Sequence, residues 1–185
     1  MEPSLNQPHR LCFLSPTPER TRQAGACLSR AWRAGGHGDP GLEILLKGDL
    51  GAGKTVFVKG LALGLGLDPD AVSSPTFVLA NQYPCPSGCM LHHADFYRLA
   101  SFDELESMGF FDLGGVGAVL AVEWGDRFPD ALSSDRLEVG FSRCEANGLE
   151  QRICHVEATG PVSVGQLERW RAALDQAGGY TEPEG

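Results

Sequence analysis

Basic charge is scarce in this chain: 15 Lys and Arg stand against 24 Asp and Glu, a formal net charge of −9 over 185 residues. A protein that grips nucleic acid alone uses Lys and Arg to displace counterions from phosphates, so stand-alone DNA or RNA binding is not expected. Long apolar runs are missing as well. No window reaches the roughly 20 residues that a bilayer span needs, which excludes a transmembrane helix. Met1–Arg10 (MEPSLNQPHR) lacks the apolar stretch of a secretory signal. The expectation is a cytoplasmic protein with no membrane contact. Internal repeats are absent too, which argues against a repeat architecture.

The length predicts a single domain, since domains run roughly 100–200 residues. A chain of this size buries about 70% of its unfolded surface and needs no metal or disulfide staple. Its 42% hydrophobic and 21% charged content is that of a globular fold. Cys12, Cys27, Cys85, Cys89, Cys144 and Cys154 are read as reduced thiols, as in a reducing compartment. Cys85 and Cys89 stand near His92 and His93, but no second pair completes a zinc-ligand pattern. Pro84, Pro86, Ser87 and Gly88 predict a tight turn between two strands there instead.

Thr17 is a candidate cap for a helix opening at Pro18, where a missing N–H costs nothing. Ala24, Cys27, Leu28, Ala31 and Trp32 give that helix one apolar face. Leu42–Leu46, between glycines, has the pattern of a buried parallel strand. Lys54–Leu67 is apolar nearly all round and predicts a helix covered on several sides. Phe77–Tyr83 and Met90–Phe96 predict a hairpin, and Ser101–Glu104 a capping box for a helix ending near Met108. Val116–Val122 reads as a second buried strand, with Arg136–Phe141 and Arg152–Glu157 as two more. Ser163 is a candidate cap for a last helix with Val164, Leu167, Trp170 and Leu174 on its inner face. This alternation predicts an α/β fold, a mixed sheet with helices on both faces. One domain is expected over residues 1–160, then a C-terminal helix and a disordered tail over 161–185.

Gly48-Asp49-Leu50-Gly51-Ala52-Gly53-Lys54-Thr55 satisfies G-x-x-x-x-G-K-S/T between a predicted strand and a predicted helix. Its glycines let the backbone curl so that N–H groups converge on phosphate oxygens, and the helix start adds its positive dipole. Lys54 suits the β- and γ-phosphates and the Thr55 hydroxyl suits Mg2+. This signals a nucleoside triphosphate without naming the base. Hydrolysis also needs a carboxylate near the metal. Glu123 closes the apolar run Val119–Val122, where a charge needs a partner. Asp95 follows the Met90–Ala94 strand and is open to a reading as a solvated strand-end acid. Ser74-Pro75-Thr76 lies where P-loop proteins place a γ-phosphate-sensing segment, although alone it is only a turn. Trp124 leans toward a core position.

GDLGAGKT (Gly48–Thr55), SPTF (Ser74–Phe77), H-x-D-x-Y-R-L (His93–Leu99), E-L-x-x-x-G (Glu104–Gly109) and EWGDRFPD (Glu123–Asp130) together resemble the bacterial TsaE ATPases in order and spacing, from about Leu11 to Arg152. The resemblance implies a P-loop NTPase-like fold and a small Mg2+-dependent ATPase, weak alone and stimulated by a TsaB–TsaD-type complex. Its role would be threonylcarbamoyladenosine modification of tRNA, with tRNA met only indirectly. By resemblance, Thr55 and Glu123 hold Mg2+ and Gly51–Val56 wrap the phosphates, extending the nucleotide site from Gly48, Asp49 and Leu50. Lys54, Glu123, Asp95, Thr76 and Trp124 are the residues implied in hydrolysis or partner contact. Pro18–Thr21 and Arg152 are the candidates for the base pocket. Val56 stands where the family has a second Thr, so a backbone N–H is kept and a hydroxyl lost. Ala94 stands where a larger apolar residue is usual.

Two other readings stay open. A P-loop small-molecule kinase needs an Arg-bearing lid, and only Arg98 and Arg127 lie near the site motifs. A nucleotide switch would bind ATP and a partner without hydrolysis. The charge favours a partner: residues 101–142 carry two basic and nine acidic groups, against four and five over residues 41–100. An acidic face fits a basic surface on a partner or its bound RNA. Complex formation is therefore expected to weaken as salt rises above about 0.1 M, measured as a dissociation constant; a salt-insensitive complex would contradict this.

Overall fold

The computed structural model describes residues 9–36, 40–75, 80–146, 149–178 and 180–181. Hydrophobic patterning sets the middle of the sheet. β2 (Leu42–Lys47) and β5 (Ala118–Glu123) are the most continuously aliphatic strands, and they pair in parallel where both faces are covered. β6 (Leu137–Ala146) and β4 (Met90–Asp95) flank them, each parallel to its inner neighbour. Antiparallel strands close the two sides: β3 (Ala80–Pro84) beside β4, then β7 (Leu149–Ala158) and β1 (Arg10–Ser15) beyond β6. The order is β1-β7-β6-β2-β5-β4-β3.

The period-two alternation of β2 divides the core. Ile44 and Leu46 face a layer of three helices, α1 (Pro18–Arg33), α2 (Lys54–Gly64) and α4 (Pro161–Ala177), and pack with Leu28, Phe57, Leu61 and Trp170. Leu45 faces the other way, onto Leu105 of the short helix α3 (Phe102–Ser107) and onto Phe96, Phe110 and Leu132. Both faces are thus covered, one by long helices and the other by α3 and single 3-10 turns. α1 and α2 meet backbone to backbone: a Cβ on Gly60 would lie 2.0 Å from the Arg22 carbonyl oxygen. The Ser29 hydroxyl then donates across to the Leu61 carbonyl at 2.9 Å. No helix among the described residues is long and apolar enough to cross a membrane.

Several boundaries differ from the sequence reading, each for a local physical reason. α2 ends at Gly64 rather than Leu67, because Leu67 N–H turns back to the Ala62 carbonyl at 2.9 Å. β5 begins at Ala118, and Val116 is 76% exposed in the preceding glycine-rich turn. Ser101 is the N-cap of α3 but makes no side-chain cap bond; Glu104 reaches back to Ala100 N–H instead, at 3.1 Å. Ser163 is not the cap of α4. The helix starts at Pro161 behind Gly160, and Asp135 accepts from the N–H groups of Val162 and Ser163 at 2.9 and 2.8 Å. β6 and β7 run past their apolar centres as a polar hairpin, pairing on to Ala146 and Leu149. Thr17 does cap α1, accepting from Arg20 N–H at 3.3 Å.

The C-terminal helix shares the main core. Trp170 is fully buried, its ring 5.7 Å from Phe57 and 6.0 Å from Phe13, and its indole N–H donates to the Ala24 carbonyl at 3.0 Å. Tyr180, within the segment read as a disordered tail, stacks edge-on to Phe13 at 5.3 Å and donates to the Arg20 carbonyl at 3.0 Å; residues 182–185 lie outside the described residues. Trp170→Ala is expected to cost about 3–5 kcal/mol of folding free energy in denaturant titration. A loss under about 1 kcal/mol would show that α4 is dispensable to the core.

Candidate nucleotide site

The phosphate-loop segment joins β2 to α2. Gly53 sits at the helix N-cap with φ +116°, a left-handed backbone that L side chains rarely adopt. Among the described residues no side chain caps this end and no acidic residue sits in the first turn, which leaves the opening amides of α2 and its positive dipole suited to an anion. The far hairpin braces the loop. Arg143 of β6 donates to the Leu50 carbonyl at 2.8 Å, and Arg152 of β7 donates to the Ala52 carbonyl at 2.9 Å.

Lys54 opens α2 and is buried. Its ammonium donates to the Gly48 and Asp49 carbonyls at 2.6 and 2.9 Å and lies 4.1 Å from the centroid of the Trp124 ring. Trp124 is the one non-glycine residue with positive φ among those described, at +57°, and Tyr97 packs on it at 5.1 Å. A bulky residue held in that conformation stores strain, which a cation and a second ring on its faces help to hold in place.

Thr55 follows. Its hydroxyl donates to Glu123 Oε1 at 2.6 Å, and His93 Nε2 lies 2.9 Å from the same oxygen. Glu123 is 4% exposed, so its charge has the partner that its place after an apolar run demands. Parallel pairing of β4 and β5 sets Asp95 opposite Glu123. Asp95 is only half-buried but is not merely solvated: Oδ2 accepts from the Ser74 hydroxyl at 3.0 Å and Oδ1 from Tyr97 N–H at 2.9 Å.

These groups open onto one cavity of about 820 Å3, lined by Leu50, Gly51, Gly53, Lys54, Thr55 and Val56 of the loop and by Asp95, Glu123 and Trp124. Gly48, Asp49 and Ala52 shape the loop without lining the cavity. Arg152 instead lines a second hollow of about 310 Å3, with Pro18, Thr21, Gly53 and Val56. The two base-pocket candidates, distant in sequence, thus meet behind the loop. Thr76 lies outside the described residues. Trp124 is half-buried, packing against the core on the α3 face of the sheet while also lining the cavity. Among the described residues, no group of three or more His, Cys, Asp and Glu side chains is placed to hold a metal at the β3–β4 turn. Cys85 N–H closes the turn onto the Cys89 carbonyl at 2.8 Å, burial pushes the Cys85 thiol up to about 12, and His93 points to Glu123. His93 and Arg143 were missed as site residues; the H-x-D spacing held a signal for His93, whereas nothing local marks Arg143.

The family model described as "Threonylcarbamoyl adenosine biosynthesis protein TsaE" matches residues 15–153. The tRNA threonylcarbamoyladenosine biosynthesis protein TsaE of Streptomyces coelicolor is 38% identical over 154 residues, spanning 82% of this chain and 95% of the relative. The protein of that name from Bacillus subtilis is 40% identical over 105 residues, 56% of this chain and 63% of the relative. The crystal structure of Bacillus subtilis YdiB matches with a TM-score of 0.63 at 30% identity, covering 88% of this chain and 95% of that one. The fold is accordingly the P-loop NTPase-like mixed sheet that the sequence predicted.

Burial holds the Lys54 ammonium below its ordinary pKa of 10.5, while the charges of Glu123, Asp95, Asp126 and Asp49 oppose that shift. The charged amine therefore carries a folding cost that is present at neutral pH and relieved as pH rises through the folded pKa toward the unfolded one. Lys54→Met is expected to weaken nucleoside triphosphate binding at least about tenfold. Its melting temperature at neutral pH should match or exceed the wild type, with the margin narrowing toward pH 10.5. A margin that widens with pH would contradict the assignment.

Proposed function

The chain belongs to the TsaE family, and on that premise we propose that it is a small cytoplasmic Mg2+-dependent ATP hydrolase of tRNA threonylcarbamoyladenosine biosynthesis. It is slow alone and acts on a TsaB–TsaD-type complex, which carries the transfer chemistry and contacts the tRNA. The observation that carries this reading is the 2.6 Å bond between Thr55 Oγ1 and Glu123 Oε1 beside the buried Lys54 ammonium. A hydroxyl and a carboxylate are hard oxygen donors of the kind Mg2+ selects, next to helix-start amides that suit phosphates.

When bound with ATP, Mg2+ neutralises charge on the β- and γ-phosphates. The chain's own residues do the rest. Lys54 brings its ammonium to the phosphates from the Gly48 and Asp49 carbonyls, and the amides of Gly51–Val56 hold the phosphate oxygens. Thr55 and Glu123 hold the cation. Asp95, fixed by Ser74 and Tyr97, ties the segment entering Thr76 to the end of β4, so that γ-phosphate contact and strand-end carboxylates act together. Trp124 keeps Lys54 at the phosphate end and screens the site from water. The hollow between Pro18–Thr21 and Arg152 is the proposed seat of the base. Of the two arginines a kinase lid would draw on, Arg127 is held on the carbonyls of Phe96 and Tyr97, whereas Arg98 lines the cavity.

Single-turnover ATP hydrolysis tests the proposal, with and without the purified partner pair. The wild type should be slow alone and stimulated by the pair, and Glu123→Ala should fall by about 100-fold or more in its presence. If both proteins stay at background with the pair present, the non-hydrolysing switch is the better account.

A further inference from the structure

Behind the candidate metal ligand, on the same face of the sheet, β4 places His93 in full burial. It pairs with Ala121, two residues before Glu123, so by the period-two alternation of β5 its imidazole lies on the face of the sheet that carries the carboxylate. The ring is too deeply buried to meet a substrate, yet its Nε2 lies 2.9 Å from Glu123 Oε1. A carboxylate only accepts, so the proton sits on Nε2. Nδ1 is buried and has no hydrogen-bond partner among the described residues, so the ring's one polar contact is to Glu123. The imidazole is therefore a donor from Nε2 with Glu123 Oε1 as its acceptor. Thr55 donates to that same Oε1 from the opposite element, α2, at 2.6 Å. Two donors on one oxygen fix the plane of the carboxylate.

We propose that His93 is a positioning residue, orienting Glu123 through Oε1 so that its second oxygen is presented to Mg2+ beside Thr55. This rests on the reading of Glu123 as a metal-site carboxylate. Outer partners of metal-binding groups set their orientation in this way, and their loss commonly costs 10–100-fold in metal affinity. A histidine that merely filled the core would cost stability without changing the response to metal.

Calorimetric titration of the full chain with a non-hydrolysable ATP analogue, with and without Mg2+, separates these roles. His93→Leu should raise the half-saturating Mg2+ concentration about 10- to 100-fold, with metal-free affinity for the analogue within about twofold of wild type. His93→Gln, whose amide reaches as far as Nε2, should restore most of the response. His93→Asn, whose shorter amide falls short of Oε1, should behave like His93→Leu and serves in its place if the leucine variant does not fold. An unchanged Mg2+ response in His93→Leu or His93→Asn overturns the proposal. So does a parallel loss of metal-free affinity, or a glutamine variant no better than asparagine. Glu123→Gln is the reference: if it leaves the Mg2+ response intact, the metal-site reading itself fails, whatever His93 does.

Discussion

A carboxylate at the end of a fully buried strand is the constraint on which the site depends. Every position of β5 is buried, Glu123 included. An unpaired charge there would cost several kcal/mol, so the fold is stable only if donors reach it. Thr55 comes from the first turn of α2 and His93 from the middle of β4, and both bond to Oε1. Meeting that demand locks three elements together: the helix that follows the Gly48–Gly53 loop, the strand that carries Asp95, and the strand that carries Glu123. The pairing that stabilises the core is therefore the same one that sets the spacing of the site.

The loop is held from its other side by elements with no part in its motif. Arg143 and Arg152 project from the β6–β7 hairpin onto the carbonyls of Leu50 and Ala52, so the antiparallel side of the sheet determines the curvature of the parallel side's loop. α1 and α4 in turn hold α2 in place. The close contact at Gly60 leaves α2 little freedom to slide, and Trp170 fills the space between Phe57 and Phe13. Trp124 carries local strain that this rigid surround can sustain, between Lys54 and Tyr97.

Much of this was legible in the chain itself, and the exceptions share a cause. Leu42–Leu46 and the run up to Val122 read as buried parallel strands because both of their faces are apolar, and they lie side by side at the centre. Thr17 read as a cap because capping is a contact between near neighbours. Ser163 misled for the complementary reason: its helix is capped by Asp135, far away in sequence, and the serine serves only the turn it sits in. The polar ends of β6 and β7 left no mark in hydropathy, since those strands continue by pairing with each other rather than by covering a core.

The sequence alone marked the candidate phosphate loop, because Gly48–Thr55 is a contiguous motif whose residues are read without the fold. It also determined that Glu123 needed a partner, because a charge after an apolar run is unstable without one. Only the tertiary structure decided that the partners are Thr55 and His93, that Asp95 stands beside Glu123, and that Arg152 meets Pro18 and Thr21 behind the loop. These are contacts between strands and helices remote in sequence. They follow from strand order and register, which the packing of the whole chain sets.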